Sequence, residues 1–215
     1  MRMVFIFSSI CLLLLSTSCK KTVDKGLSFS GKVVNEFTDA PQADVTVKLY
    51  AQENSTSGVV GRAKVIAESV TDAEGNFNLS FERTQVLDYE VQVNGTSIFY
   101  KEFKLIPDEV YEAKDLKQNI PVLVVSYAQI HLKNIDESSS TDKINVGSDI
   151  ELSCDCCPKS AQQFVGKIDS TYTCKIPAGK LVTFNTTVQD GGALKSESYT
   201  MTCDEGSTCV LEIEY

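Results

Sequence analysis

The sequence contains no tryptophan and a single histidine, His131, and both shortages limit what the protein can do. Tryptophan offers the largest ring for stacking, so its absence weakens the hypothesis that the protein binds sugars by stacking. His131 is the one histidine that could serve as a general base, and its neighbours suggest no Cys-His or Ser-His pair. The G-x-S-x-G, H-E-x-x-H, Walker and G-x-G-x-x-G motifs are also absent. These absences predict a protein that is not an enzyme and indicate no cofactor.

Positive charge is also scarce, with 20 lysines and arginines against 29 aspartates and glutamates and a net charge of −9. An acidic surface repels phosphate backbones, so nucleic acid is not expected as a partner. The excess of carboxylates leaves one alternative open, a hydrolase with an unidentified carboxylate pair. No acidic residue is singled out for that role by its sequence context.

Only one long apolar run occurs, over residues 4–15, and small residues and Cys19 follow it. Arg2 precedes the run, and this order of charge, apolar core and small residues predicts a secretion signal over residues 1–18. The run is too short to cross a bilayer as a helix, which takes about 20 residues. The arrangement resembles a bacterial lipoprotein signal, in which a peptidase cuts before a cysteine whose thiol carries diacylglycerol.

That resemblance implies that Cys19 is lipidated and that the lipid anchors the protein to a membrane of the cell envelope, the outer membrane of a Gram-negative bacterium. One position departs from the usual pattern, because Ser16 stands where a leucine is expected and the leucine is Leu15. The alternative is ordinary secretion with a free Cys19. The polar residues 19–26 are predicted to form a flexible tether.

Cysteine is missing from residues 20–153 and then becomes abundant. An exported protein meets an oxidising compartment, so the late cysteines predict up to three disulfides. The six late cysteines are Cys154, Cys156, Cys157, Cys174, Cys203 and Cys209.

The spacing of these cysteines suggests one pairing before the others. Cys203 and Cys209 flank a short turn and are predicted to pair across a hairpin. Cys174 is then expected to join Cys154 or Cys156, and Cys157, which is out of phase and followed by Pro158, is expected to take the remaining partner. Other pairings stay open, since spacing alone does not determine connectivity.

Residues 154–157 contain a C-x-x-C and a C-x-C, spacings at which thiolates bind zinc or copper(I). A metal-binding lipoprotein that uses these cysteines is therefore the main alternative function, although a second C-x-x-C is missing. Residues 72–76 resemble half of a calcium loop, but Arg83 stands where a bidentate glutamate is needed. A hairpin turn explains the same residues, and no metal site is predicted.

Apolar residues alternate with polar ones through most of the chain beyond residue 26, and no sustained helical period occurs. Such runs predict half-buried strands, and several short strands separated by turns indicate a sandwich or barrel. We therefore predict an all-β protein with two β-sandwich domains in tandem, over residues 27–120 and 121–215. The charged residues 107–118 are predicted to form one helical turn or a loop. The runs begin at Leu27, Val45, Phe77, Tyr89, Ala128, Ile150, Tyr172, Val182, Tyr199 and Cys209.

Three motifs follow one another in the first half of the chain. Residues 29–34 read F-S-G-K-V-V, residues 40–49 combine a Pro-containing turn with a strand, and residues 71–77 read T-D-A-E-G-N-F. This order resembles the carboxypeptidase regulatory-like domain, a transthyretin-like β-sandwich. The resemblance implies a surface spacer or binding module without catalytic activity. In the third motif we expect Gly75 to have a positive φ and Phe77 to enter the core.

These observations together predict a lipid-anchored, exported, non-enzymatic module whose first domain is a stalk. The second domain, stiffened by disulfides, is predicted to face a protein or glycan partner. His131 lies on the polar phase of its run and is expected to face solvent. Several aromatic residues are candidates for a binding face, although packing between the two domains explains them more simply. They are Tyr50, Tyr89, Phe99, Tyr100, Phe103, Tyr111 and Tyr127.

Overall fold

A computed structural model describes residues 26–53, 63–83, 86–135, 142–152, 154, 156–190 and 193–215. This part of the chain holds fifteen strands and one short helix, so the predicted all-β class is confirmed. The signal segment, Cys19, most of the tether and most of the polar stretch 137–142 lie outside the described residues. Within the described ranges, no helix is long and apolar enough to cross a membrane.

The elements fall into two groups along the chain. The first group comprises β1 (Leu27–Asn35), β2 (Thr46–Glu53), β3 (Lys64–Val70), β4 (Asn76–Phe81), β5 (Val86–Asn94), β6 (Lys101–Leu105), α1 (Pro107–Ala113), β7 (Asp115–Lys117) and β8 (Ile120–Val122). The second comprises β9 (Val125–Lys133), β10 (Lys143–Ser148), β11 (Gln162–Val165), β12 (Asp169–Pro177), β13 (Val182–Asp190), β14 (Ala193–Met201) and β15 (Thr208–Glu214).

Two four-stranded sheets form the first sandwich. In one sheet β1 pairs antiparallel with β4 and parallel with the short strands β7 and β8. In the other, the order β3-β2-β5-β6 is antiparallel throughout. The apolar side chains of the alternating runs meet between the sheets, where Phe29, Leu49, Tyr89 and Val91 are fully buried. The predicted period-two pattern therefore accounts for this core.

The T-D-A-E-G-N-F hairpin has the expected geometry. Gly75 has a φ of 75°, and Phe77 is 3% exposed and packs edge-to-face on Phe29 with ring centroids 5.1 Å apart. The Asp72 carboxylate accepts a hydrogen bond from the backbone N–H of Asn76 at 2.8 Å. Hydrogen bonds from Asn76 lower the pKa of Asp72. Asp72 thus stabilises a hairpin turn.

Residues 107–118 are more ordered than predicted, because they form both α1 and β7. The helix has Pro107 in its first turn and buries Val110. β7 then pairs with β1, with Ser28 opposite Asp115. A three-residue strand has no recognisable alternation, and its partner lies far away in the sequence. The prediction of a turn or loop therefore missed β7.

The second sandwich packs the sheet β11-β10-β13-β14 against the sheet β12-β9-β15. The first of these sheets is antiparallel, whereas β15 pairs parallel with β9. Ile130, Leu132, Ile144 and Ile176 are fully buried between them. This core is separate from that of the first sandwich.

Residues 150–156 were expected to form an alternating strand, and this prediction is wrong. Among the described residues of this segment, only Cys156 makes an isolated bridge, to Lys175. The disulfide between Cys154 and Cys156 brings their Cα atoms to 5.1 Å, whereas two residues of a strand span about 6.6 Å. The short covalent ring is therefore incompatible with a regular strand.

Strands β3, β6, β10 and β11 were not anticipated from the sequence. β3, β6 and β11 lie at the edges of their sheets. Their side chains are mostly exposed or half-buried, and Val65 and Val70 of β3 are 46% and 56% exposed. An edge strand with few buried positions lacks the alternating signature of a core strand.

Candidate functional site

Disulfides join the six late cysteines in three pairs: Cys154–Cys156, Cys157–Cys174 and Cys203–Cys209. The expectation that Cys174 joins Cys154 or Cys156, and that Cys157 takes the one left over, is wrong, because Cys157 joins Cys174 and Cys154 joins Cys156. Cys157 is buried in the second core, and its backbone N–H donates to the carbonyl of Lys175 at 3.0 Å. This hydrogen bond places Cys157 beside β12 and therefore beside Cys174.

The disulfide pairing bears directly on the metal alternative. Zinc and copper(I) bind thiolates, and a sulfur in a disulfide is not a thiolate. Among the described residues, no group of three or more His, Cys, Asp or Glu side chains is arranged to hold a metal. The arrangement therefore favours a structural role for these cysteines.

A glutamate in the disulfide-closed turn between β14 and β15 connects the two sandwiches. The Oε1 atom of Glu205 accepts hydrogen bonds from Asn35 Nδ2 at 2.7 Å and from Thr38 Oγ1 at 3.2 Å. Its Oε2 atom accepts one from Gln42 Nε2 at 3.1 Å. Asn35 and Gln42 are 0% and 6% exposed, so two of the three donors come from buried residues. Hydrogen bonds to a charged acceptor are stronger than neutral ones.

Backbone contacts extend this junction. The N–H of Ala178 donates to the carbonyl of Val124 at 2.8 Å, and the N–H of Val125 donates to the carbonyl of Ser97 at 2.8 Å. Ala178 lies in the turn between β12 and β13, yet it is fully buried in the core of the first sandwich. The two sandwiches are thus joined by direct packing and hydrogen bonds as well as by the chain.

The strand directions place the two ends of the molecule on opposite sides of this junction. β1 begins at Leu27 and reaches the junction at Asn35, whereas β9 begins there with Val125. Each of these strands has nine residues and is about 30 Å long. β15 runs parallel with β9 and ends at Glu214. The end of the second sandwich that contains Glu214 is therefore the far end, remote from the first sandwich.

A cleft of about 360 Å³ opens at this far end. It lies between β14, at the edge of one sheet, and β15, at the edge of the other. Ile135, Val188 and Ile213 supply an apolar part of its lining. Concave sites with an apolar lining and a few polar groups are the usual form of ligand-binding sites. We call this feature the far-end cleft.

Charged side chains also line the far-end cleft. The carboxylate of Glu197 accepts hydrogen bonds from Lys195 Nζ and from the hydroxyl of Tyr199. These hydrogen bonds, with that from Lys195 the larger cause, lower the pKa of Glu197. Asp190 and Glu214 make no hydrogen bond or ion pair with any other side chain that the structure describes. Glu214 lies opposite Lys133 in the register of β15 and β9, and it shares the face of that sheet on which Glu212 contacts His131.

Tyr215 completes the lining of the far-end cleft. Its hydroxyl is buried and has no hydrogen-bond partner within the described part of the chain. Burial raises the pKa of Tyr215, and the nearby charge of Asp142 raises it further. Buried polar groups without a partner are uncommon and cost stability, and this hydroxyl is shielded from the cleft as well as from solvent.

The histidine lies on the outer face of the sheet β12-β9-β15, between two acids. His131 Nε2 is 2.7 Å from Asp169 Oδ1, and its Nδ1 is 2.5 Å from Glu212 Oε2. The hydrogen bond with Asp169, and then that with Glu212, raise the pKa of His131. The prediction that it simply faces solvent is incomplete, because its side chain is 27% exposed. With both nitrogens bonded to carboxylates, neither is free to act as a general base.

The aromatic candidates do not assemble into one binding face. Tyr89 is fully buried in the first core, where its hydroxyl is 3.3 Å from that of Tyr111. Tyr100 is 56% exposed, and its hydroxyl donates to Glu102 at 2.6 Å. Tyr127 belongs to the second sandwich. Packing in the first core thus accounts for Tyr89 and Tyr111.

Comparison with known proteins gives only distant likenesses. No protein-family model and no curated protein matches the sequence. A shaft pilin from Lactobacillus rhamnosus GG is 10% identical, with 88% of this chain and 97% of the pilin covered and a TM-score of 0.34. A minor pilin from Streptococcus agalactiae is 9% identical, with 87% and 94% covered and a TM-score of 0.34. A 9R-lipoxygenase from Cyanothece is 13% identical, with 48% of this chain but 18% of the lipoxygenase covered and a TM-score of 0.32. Likenesses at this level carry no argument about activity, and the all-β class rests on the strands described above.

Proposed function

We propose that this protein is a lipid-anchored, exported, non-enzymatic binding module. Cys19 carries the lipid, in the outer membrane of a Gram-negative bacterium. The first sandwich is a spacer of the carboxypeptidase regulatory-like kind, and the second offers the far-end cleft to a protein or glycan partner. We draw the domain boundary after Val124, because this residue packs in the first core.

The observation that carries this proposal is the position of the cleft. The chain enters the first sandwich at Leu27, on the side away from the junction, and the cleft lies beyond the second sandwich. Two strand lengths of about 30 Å each separate these regions. The Glu205 hydrogen bonds hold the two sandwiches against each other. A lipid on Cys19 would thus attach one end of the protein while the cleft faces away from the membrane.

The charges in the cleft support binding more than hydrolysis. A glycosidase needs one carboxyl group whose pKa is raised, so that it can donate a proton. Hydrogen bonds from Lys195 and Tyr199 shift the pKa of Glu197 in the opposite direction. His131, outside the cleft, has both ring nitrogens engaged by carboxylates.

The lipid anchor is tested by metabolic labelling with an alkyne fatty acid, followed by membrane fractionation. We expect the wild-type chain to incorporate the label and to sediment with membranes, whereas Cys19→Ala should lose the label and become soluble. Cys11→Ala is the matched control, because Cys11 lies within the predicted signal. It should be labelled like the wild type. A Cys19→Ala variant that still carries the label, or still sediments with membranes, would contradict the proposal.

A further inference from the structure

The three disulfides differ in how deeply their cysteines are buried. Two of them each contain a cysteine inside the second core, Cys157 at 2% and Cys203 at 1% exposure. In the third, Cys154 is exposed and Cys156 is half-buried. Disulfide exchange requires a thiolate to reach one of the two sulfurs, so access decides which disulfide reacts first. The Cys154–Cys156 disulfide is therefore the one most open to an external thiol.

The disulfides also differ in what they connect. That of Cys157 links residues 17 apart in the sequence and reaches β12, and that of Cys203 closes the turn between β14 and β15. Cys154 and Cys156 are two residues apart and lie outside the strands, so their disulfide joins no two strands. In the chain-entropy description, a disulfide stabilises a fold less when its loop is shorter. Opening this disulfide should thus leave both sandwiches folded.

The Cys154–Cys156 disulfide lies in an open depression of about 530 Å³. Both cysteines line it, and Leu152 contributes apolar surface. Glu151 and Lys159 also line it, but they form an ion pair with each other, so these two charges offset one another. A depression of this volume is of the size that holds a small ligand, such as a cysteine with its neighbouring residues.

We propose that the Cys154–Cys156 disulfide is a thiol-exchange site that oxidises two thiols of an external molecule. This inference goes beyond the proposed function and requires from it only export to an oxidising compartment, where the disulfide forms. The reaction is stoichiometric, one disulfide for two thiols, so it involves no catalytic turnover. The thiol belongs to a partner's chain or to a small molecule such as glutathione, and the rates with the two kinds of thiol separate these sources.

The exchange proceeds in two steps. A thiolate of the external molecule attacks Sγ of Cys154, the more exposed cysteine, and forms a mixed disulfide. The bond to Cys156 breaks, and Cys156 leaves as a thiolate that takes up a proton. A second external thiolate then attacks the external sulfur of the mixed disulfide, which releases Cys154 as a thiol after protonation. The protein disulfide is reduced by two electrons, and the two external thiols are oxidised to a disulfide.

Limited reduction followed by alkylation and peptide mapping measures this selectivity. The full oxidised chain is incubated with reduced glutathione without denaturant, quenched at intervals with N-ethylmaleimide and digested with trypsin. Residues 144–159 then form one peptide with three of the cysteines, and residues 168–175 form another, which contains Cys174. We expect these peptides to stay joined by a disulfide while the first gains two N-ethylmaleimide groups.

This double alkylation should be at least about tenfold faster than alkylation of the other four late cysteines. Any glutathione that is trapped as a mixed disulfide should be attached to Cys154.

A second thiol identifies the source. A short peptide with one cysteine between two leucines is compared with glutathione at equal thiolate concentration, because the thiolate is the attacking species. A faster reaction with the peptide assigns the exchange to a partner's chain that contacts the depression. An equal or faster reaction with glutathione assigns it to small thiols.

Two matched double variants assign the reaction to one disulfide. Cys154→Ala with Cys156→Ala should abolish the fast alkylation and keep the circular dichroism spectrum, since it removes no link between strands. Cys203→Ala with Cys209→Ala also removes one disulfide but should keep the fast alkylation at the wild-type rate. If the second variant does not fold, the order in which the wild-type cysteines react still decides the question.

Three outcomes would overturn the proposal. One is reduction of all three disulfides at the same rate, the second is reduction of Cys203–Cys209 first, and the third is a peptide 144–159 that stays unalkylated until urea unfolds the protein. None of these outcomes decides whether the protein is lipid-anchored, because the labelling of Cys19 tests the anchor separately.

Discussion

Replacing Glu205 with alanine should loosen the junction between the two sandwiches. The substitution removes the acceptor of three hydrogen bonds, from Asn35, Thr38 and Gln42. Glu205 lies in a surface turn, so its deletion leaves no cavity in either core. The effect therefore measures the interaction between sandwiches rather than the packing within one of them.

The magnitude follows from what each donor loses. Asn35 is fully buried, and its side-chain N–H₂ has no other partner shown among the described residues. Gln42 keeps a second hydrogen bond, to the carbonyl of Ala40 at 3.2 Å. A hydrogen bond to a charged group contributes about 1.5–3 kcal/mol, and the exposure of Glu205 places this case toward the low end. We expect Glu205→Ala to cost about 2 kcal/mol and Glu205→Gln, which keeps one oxygen acceptor, about half as much.

Urea denaturation followed by circular dichroism measures this loss. For a slope of about 2 kcal/mol per molar urea, a loss of about 2 kcal/mol lowers the midpoint by about 1 M. Backbone ¹⁵N relaxation provides a second readout, because looser sandwiches tumble with separate correlation times. We expect this separation in Glu205→Ala and not in the wild type.

The control is Asp204→Ala in the same turn. It removes the same charge, and the contacts of Asp204 that the structure describes, with Ser207, come from its backbone carbonyl. The free energy of unfolding of Asp204→Ala should stay within about 0.5 kcal/mol of the wild-type value. If Glu205→Ala proves no less stable than Asp204→Ala, the Glu205 carboxylate does not hold the junction.

Two further substitutions test other parts of the structure. His131→Gln should destabilise the protein most at about pH 5–6, because the two neighbouring carboxylates raise the pKa of His131 and its charged form then favours folding. That contribution is complete below the ordinary pKa of 6.5 and disappears as pH rises through the raised folded-state pKa, so the urea midpoints of variant and wild type should converge at alkaline pH. A constant difference across this range would contradict the ion-pair explanation. Gly31→Ala should cost about 3 kcal/mol or more in thermal denaturation, since its Cβ would lie 1.9 Å from the carbonyl oxygen of Gln118. Gly95→Ala is the control, with its nearest atom at 3.6 Å, and equal losses for the two glycines would refute the close approach.

The strands that alternate over many residues were predictable from sequence. The alternating apolar side chains of the runs that begin at Val45, Phe77 and Tyr89, in or beside β2, β4 and β5, are buried as expected. The period of a strand is a local property, because successive side chains point to opposite faces. The T-D-A-E-G-N-F turn is also local, and the positive φ of Gly75 follows from its own residues.

The parallel strands and part of the disulfide pairing were not predictable in this way. β7 joins β1 through Ser28 and Asp115, which are 87 residues apart, and nothing in three residues signals that partner. The number of late cysteines indicated disulfides, and the short turn indicated Cys203 with Cys209. The partner of Cys174 depended instead on which cysteine the chain brings beside β12, and only the fold shows that it is Cys157.

The sequence by itself determined the all-β class, the acidic charge and the concentration of cysteines in the last third of the chain. These follow from composition and from a local alternation that any strand must display. Only the tertiary structure decided the junction and the cleft. Glu205 meets Asn35 across 170 residues, and the far-end cleft exists because the sheet orders leave β14 and β15 as edges. Strand order depends on the packing of both sheets at once, so no local pattern specifies which side chains meet at those edges.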